Sequence, residues 1–188
     1  MRVIAGTARR LLLKTPTGMN TRPTTDRIKE TLFNILQPKL AGRDFLDLFA
    51  GSGGIGIEAL SRGARSACFA DSSREAVSCI KENLAHTKMT DRSVVYATDA
   101  MTALRRMRSD RKRFDIVFLD PPYGKGLELA ALTAMRENGL LDEDALVVVE
   151  TALEGGTAIE ELEACGYCVT RVKDYKTNRH VFLQAAEE

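Results

Sequence analysis

The sequence predicts an α/β protein with a mostly parallel sheet and helices on both faces. Three observations carry this. From residue 43 onward, apolar runs of strand length alternate with amphipathic runs of helix length. The first apolar run leads into a glycine turn, DLFAGSGGIG at 47–56, which opens a helix. The chain also closes on two β-rich runs, YCVTRVKDY and RHVFLQAA, separated only by the short turn around KTN. Two strands with no helix between them predict an antiparallel terminal pair.

The elements follow in order. RVIAG and RRLLLKTP read as short strands or an extended arm around a glycine turn. PTGMNTRPTT is turn-rich and has few apolar anchors. A helix should follow, capped by Thr24 or Thr25, with Ile28, Leu32, Ile35 and Leu36 on one face and Pro38 near its end. The repeating part then pairs strand DFLDLF with helix GIEALSRG, SACFAD with REAVSCIKENLAHT, and SVVYAT with AMTALRRMRS. FDIVFLD precedes LELAALTAMRENG, and ALVVVE precedes TAIEELEACG. The expected organisation is a basic N-terminal extension, residues 1–23, and a main domain, residues 24–188, that includes the leading helix.

Composition narrows the class. A chain of 188 residues with 44% hydrophobic content is enough for one ordinary core. Its most apolar runs are strand length, short of the ~18–20 residues that span a bilayer. MRVIAGTARR has no long apolar h-region of a secretory signal. Cys68, Cys79, Cys165 and Cys168 include one CxxC, but CGYC leaves a helix and enters a strand, the reverse of a redox motif. A reduced, cytoplasmic protein is expected, with no membrane partner and no metal, since no Cys/His cluster occurs. Charge is uneven. Residues 1–43 hold nine Lys/Arg and two acids, net +7, while the remainder holds 18 and 24, net −6. A basic arm beside a mildly acidic body fits contact with phosphates.

The glycine turn suits a nucleotide-like ligand. Gly51, Gly53 and Gly56 form GxGxxG after a strand and before a helix. Asp71 ends the next strand, where a carboxylate can accept both ribose hydroxyls of an adenosine. Asp47 separates the possible cofactors. A carboxylate inside the strand end would repel a pyrophosphate, whereas it favours the sulfonium and ammonium of S-adenosylmethionine. A capped loop is the structural alternative for Asp47. Asp99-Ala100 follows the third strand, positioned for an adenine amino group or for helix capping.

Residues 120–124, DPPYG, follow the apolar run FDIVFL. Ligands in open α/β sheets bind beyond the carboxyl ends of the strands. Pro121 and Pro122 lack N–H donors, so their carbonyls face a ligand without local competition. Tyr123 can stack on a base. An exocyclic amine has two hydrogens, and Asp120 and the Pro121 carbonyl offer one acceptor each. Two acceptors orient a poorly nucleophilic nitrogen and favour its developing positive charge. The structural alternative is a buried turn acid between two prolines.

RVIAG at 2–6, TRPTTDRIKETLFNIL at 21–36, DLFAGSGGIGIEALSRGA at 47–64 and FLDPPYG at 118–124 resemble the RsmD family of small-subunit ribosomal RNA guanine-N2 methyltransferases. The resemblance implies a Rossmann-like class I methyltransferase: a seven-stranded sheet with an antiparallel terminal strand and an N-terminal β-hairpin/helix extension. It implies S-adenosyl-L-methionine as donor, S-adenosyl-L-homocysteine as product, and a guanine of 16S ribosomal RNA in a 30S particle as acceptor. Donor-site candidates are then Asp47, Phe49, Gly51, Ser52, Gly53, Gly56, Asp71, Ser72, Asp99, Ala100 and Asp120. Catalytic candidates are Asp120, Pro121, Pro122 and Tyr123. Arg2, Arg9, Arg10, Arg22 and Arg27 are RNA-contact candidates. The chain departs from the family pattern at Asp71, where glutamate is common, and at Gly54-Ile55, where alanine-leucine is common. A monomer is expected. DNA adenine-N6 methylation is the alternative that shares the DPPY logic. An NAD-dependent oxidoreductase would share only the glycine turn and Asp71, and a non-catalytic RNA-binding protein would need a vestigial donor pocket.

Overall fold

The computed structural model describes residues 1–17 and 26–186. Among the described residues seven strands form one mixed sheet in the order β3-β2-β1-β4-β5-β7-β6, and six α-helices alternate with them. The chain divides into two units, Met1–Asp99 and Ala100–Glu188.

The first unit holds α1 (Asp26–Leu40), β1 (Asp44–Leu48), α2 (Gly54–Ser61), β2 (Ser66–Asp71), α3 (Arg74–His86) and β3 (Ser93–Ala97). β1 and β2 pair in parallel, as do β2 and β3. Leu48 pairs with Ala70, and Ala70 with Tyr96. The three strands therefore end level, and the loops that follow them leave from one edge. Phe45, Leu46, Leu48, Phe69 and Ala70 are buried, so the strands read as continuous apolar runs, as a sheet covered on both faces requires.

Helix α1 buries Leu32, Phe33, Leu36 and Leu40 together with Lys29. The face expected from the sequence is thus rotated, since Ile28 and Ile35 are only half-buried. Lys29 takes a core slot because its ammonium meets Glu58 of α2 at 3.3 Å, with both side chains fully buried. Pro38 lies inside the last turn of the helix. The proposed caps Thr24 and Thr25 lie outside the described residues.

The N-terminal arm folds back on itself. Arg2 bridges to Leu12 in antiparallel fashion, and the Val3 N–H donates to the Leu11 carbonyl at 2.9 Å. α2 then holds the arm. The Ile4 and Ala5 N–H groups donate to the Glu58 carboxylate at 2.8 and 3.0 Å. Ser61 donates to the Ala5 carbonyl at 2.6 Å and accepts from the Ala8 N–H at 2.9 Å. Val3, Ala8 and Leu13 are buried, while Arg2, Arg9, Arg10 and Leu12 face outward.

The second unit holds α4 (Ala100–Ser109), β4 (Phe114–Leu119), α5 (Leu127–Glu137), β5 (Leu141–Ala152), α6 (Ile159–Ala164), β6 (Tyr167–Asp174) and β7 (Asn178–Ala185). β4 and β5 are parallel, and β7 runs antiparallel to both β5 and β6. This is the terminal pair that the short turn at KTN predicts. β5 is longer than the apolar run ALVVVE. Its early residues extend to a pairing of Phe114 with Leu141, and its last residue, Ala152, pairs with Asn178. Backbone partners on both sides extend a strand beyond its apolar stretch. Among the described residues no helix is long and apolar enough to cross a membrane.

Candidate functional site

In the first unit, the glycine turn is shaped by its backbone. Phe49 adopts φ 65, Gly51 φ 55 and Gly53 φ 77, and the Gly53 N–H closes the turn on the Ala50 carbonyl at 2.7 Å. A left-handed Phe49 is costly for a bulky residue and marks a strained loop. A Cβ at Gly51 would meet nothing within 4 Å, so the space above the turn is open. At Gly56 a Cβ would lie 2.3 Å from the Phe69 ring, so α2 can approach β2 only because this residue is glycine. Ser52 is buried and its carbonyl accepts from the Asn83 side-chain amide at 2.9 Å.

Asp71, the last residue of β2, binds the turn from the side. One carboxylate oxygen accepts the Gly51 N–H at 2.8 Å and the other accepts the Ser73 N–H at 2.8 Å. Each oxygen keeps a further lone pair for a hydroxyl donor. Ser72 beside it is exposed. Asp99 is exposed and stands immediately before α4, which begins at the half-buried Ala100.

Asp47 is 2% exposed, and its carboxylate accepts the Gly56 N–H of the first turn of α2 at 2.8 Å. Burial raises its pKa from 3.8 to about 7, the bond from Gly56 opposes this, and the Asp71 charge adds to the rise. An acid whose folded pKa is raised binds its proton more tightly when folded, so stability falls as the pH climbs from about 4 to about 7 and is level above that. Urea unfolding at pH 5 and pH 8 is expected to show lower stability at pH 8. In Asp47→Asn this part of the difference should vanish; an unchanged difference would assign it elsewhere.

In the second unit, DPPYG leaves the end of β4. Asp120 is half-buried, Pro121 is buried, and Pro122 and Tyr123 are exposed. Leu119 pairs with Val149, so Asp120 and Glu150 are the next residues along two parallel neighbouring strands. The Tyr123 hydroxyl donates to Glu150 at 3.4 Å. Glu150 is itself buried and accepts from the Asn178 amide at 2.8 Å, with His180 Nε2 at 2.9 Å. Neither Glu150 nor His180 stands among the sequence-derived candidates. The available signal is a carboxylate placed directly after the apolar run LVVV.

The RNA-contact candidates lie on the first unit. Arg2, Arg9, Arg10 and Arg27 are exposed, and Arg2 pairs with Asp26 at 2.7 Å. Such an exposed pair is weak and exchangeable. Arg22 lies outside the described residues.

Comparison with known proteins places the chain. It is 39% identical over 156 residues to the ribosomal RNA small subunit methyltransferase D of Escherichia coli (strain K12), covering 83% of this chain and 77% of that protein. It is 37% identical over 151 residues to the protein of the same name from Haemophilus influenzae, covering 80% and 78%. The solved structure of the methyltransferase candidate yhhF from Escherichia coli superposes with a TM-score of 0.84 at 34% identity, covering 100% of this chain and 99% of that one. The model of the family described as Conserved hypothetical protein 95 matches residues 1–183, and the chain belongs to that family, the RsmD family.

Proposed function

We propose that this protein transfers a methyl group from S-adenosyl-L-methionine to the exocyclic N2 amine of a guanine in 16S small-subunit ribosomal RNA, giving N2-methylguanosine and S-adenosyl-L-homocysteine. The observation that carries this reading is the acid and aromatic of DPPY at the carboxyl end of β4, in a chain of the RsmD family. The RNA is recognised within a 30S particle, in the cytoplasm, by a monomer.

The donor fits the glycine turn and the acids that flank it. The space above Gly51 is open, and the Asp71 carboxylate has lone pairs left for ribose hydroxyls. Asp47, Phe49, Ser52, Gly53, Gly56 and Ser72 shape the same turn, with Asp99 and Ala100 at the adenine end. When bound, the donor supplies an electrophilic methyl on a sulfonium. Asp120 and the Pro121 carbonyl each accept one hydrogen of the guanine amine and hold its nitrogen for attack, while Pro122 stiffens the turn. As the N–C bond would form, the S–C bond of the donor would break with its electron pair left on sulfur, giving S-adenosyl-L-homocysteine, and Asp120 would favour the cationic nitrogen and accept its released proton. Tyr123 stacks on the base, replacing the stacking that the nucleotide loses when it leaves its helix. Arg2, Arg9, Arg10, Arg22 and Arg27 hold the RNA backbone.

The test uses methyl-labelled donor with small subunits that lack the modification. Label is expected in N2-methylguanosine after nucleoside analysis. Label in N6-methyladenine of DNA instead, or no transfer by a folded, donor-binding protein, would overturn the reading.

A further inference from the structure

We propose that Glu150 is a positioning residue that, locked by Asn178 and His180, anchors the Tyr123 ring as the platform for the target base; this rests on the methyl-transfer reading above. The anchor is a closed polar cluster inside an apolar wall. His180 is fully buried, and its ring lies edge-on to Phe118 and Tyr175 at centroid distances of 5.6 and 4.9 Å. Its Nε2 faces Glu150 at 2.9 Å and its Nδ1 meets the Tyr175 hydroxyl at 3.3 Å. A carboxylate only accepts, so Nε2 carries the hydrogen that joins them. Asn178 occupies the other Glu150 oxygen, and the Tyr123 hydroxyl joins Asn178 on that same oxygen.

Asn178 and His180 alone leave both Glu150 oxygens bonded. Burying this carboxylate carries a desolvation cost that a residue like the preceding Val147, Val148 and Val149 would avoid. What the acid adds is a fixed acceptor on β5 at the level where DPPYG leaves β4. The most exposed member of the cluster is Tyr123, 48% exposed, while Tyr175 is half-buried. At 3.4 Å the bond from Tyr123 is at the long end of the hydrogen-bond range. The hydroxyl fixes one end of the ring, and on this proposal a purine stacks against the half-exposed ring.

The experiment compares the full chain with Tyr123→Phe, Glu150→Gln and the double variant. It measures methyl transfer to unmodified small subunits, donor affinity by calorimetry, and the tyrosine ring signals of ¹³C-labelled protein. Each single change is expected to lower kcat/KM for the particle roughly three- to tenfold with donor affinity unchanged. The double variant should be no worse than the poorer single one. The Tyr123 signal, identified by its loss in Tyr123→Phe, should move in Glu150→Gln. Losses that multiply in the double variant, or full activity in the half-exposed and fold-neutral Tyr123→Phe, would overturn the proposal. So would a Tyr123 signal that stays in place when Glu150 is changed, even without turnover. If the unaltered protein methylates no guanine, the functional reading itself fails and the base platform with it, and the ring signals still decide whether Glu150 anchors Tyr123.

Discussion

Asp120→Ala is expected to lower methyl transfer about 10²–10³-fold, the scale of losing one group aimed at charge that develops in a transition state. On the proposed reading the donor is held chiefly by Asp47, Asp71 and the glycine turn, so donor affinity should change far less than turnover. The loss should therefore appear in kcat more than in the donor KM, the pattern of an interaction made only as nitrogen attacks. Asp120→Asn keeps one acceptor and the shape of the turn but cannot take the proton. Its activity should fall between the two if orientation dominates, and match Asp120→Ala if proton acceptance dominates. Single-turnover assays on small subunits separate these results. Unchanged activity in Asp120→Ala would remove this residue from the mechanism.

Glu58→Ala is the substitution expected to cost most in stability, about 3–5 kcal/mol. Glu58 is fully buried and gathers four donors: the Ile4 and Ala5 N–H groups, Arg62 at 2.7 Å and Lys29 at 3.3 Å. Lys29 donates in addition to the Arg2 carbonyl. Its pKa is lowered, chiefly by burial, with Glu58 pulling the other way. Removing the carboxylate leaves a buried ammonium and two backbone donors short of their acceptor. Lys29→Met should cost less, because Arg62 and the two N–H groups still surround Glu58. Urea unfolding of the three proteins checks this. Equal stabilities would mean that the cluster contributes nothing to the fold.

Most of the fold is legible in the sequence because its signals are local. Strand runs such as FDIVFL are short, apolar and bounded by turn residues, and the structure ends β4 at Leu119, where DPPYG begins. The first turn of α2, the end of β2 at Asp71 and the antiparallel final pair likewise follow from nearby residues. What periodicity cannot supply is the partner across space. It puts Ile28 and Ile35 on the inner face of α1, because nothing near Lys29 in sequence announces a buried acid on another helix. The same holds for the surroundings of DPPYG. DPPY stands out as a motif, but Glu150 and His180 are 30 residues apart and become neighbours only through the antiparallel register of β5 with β7. His180 sits within the run RHVFL and reads as a strand residue until that register is known. Asp47 is legible as an acid at a strand end, whereas its bond to Gly56 depends on how the turn closes.

Asn83 of α3 has a wider consequence. Its side chain accepts from the Lys14 N–H at 2.8 Å and donates to the Lys14 carbonyl at 2.9 Å, while its amide also donates to Ser52 in the glycine turn. One side chain thus joins the N-terminal arm to the glycine turn. If RNA on the arm shifts the free energy of that loop, linkage demands that the donor alter RNA affinity by an identical factor. On the proposed reading the two substrates would then be thermodynamically reciprocal, each affinity depending on the concentration of the other.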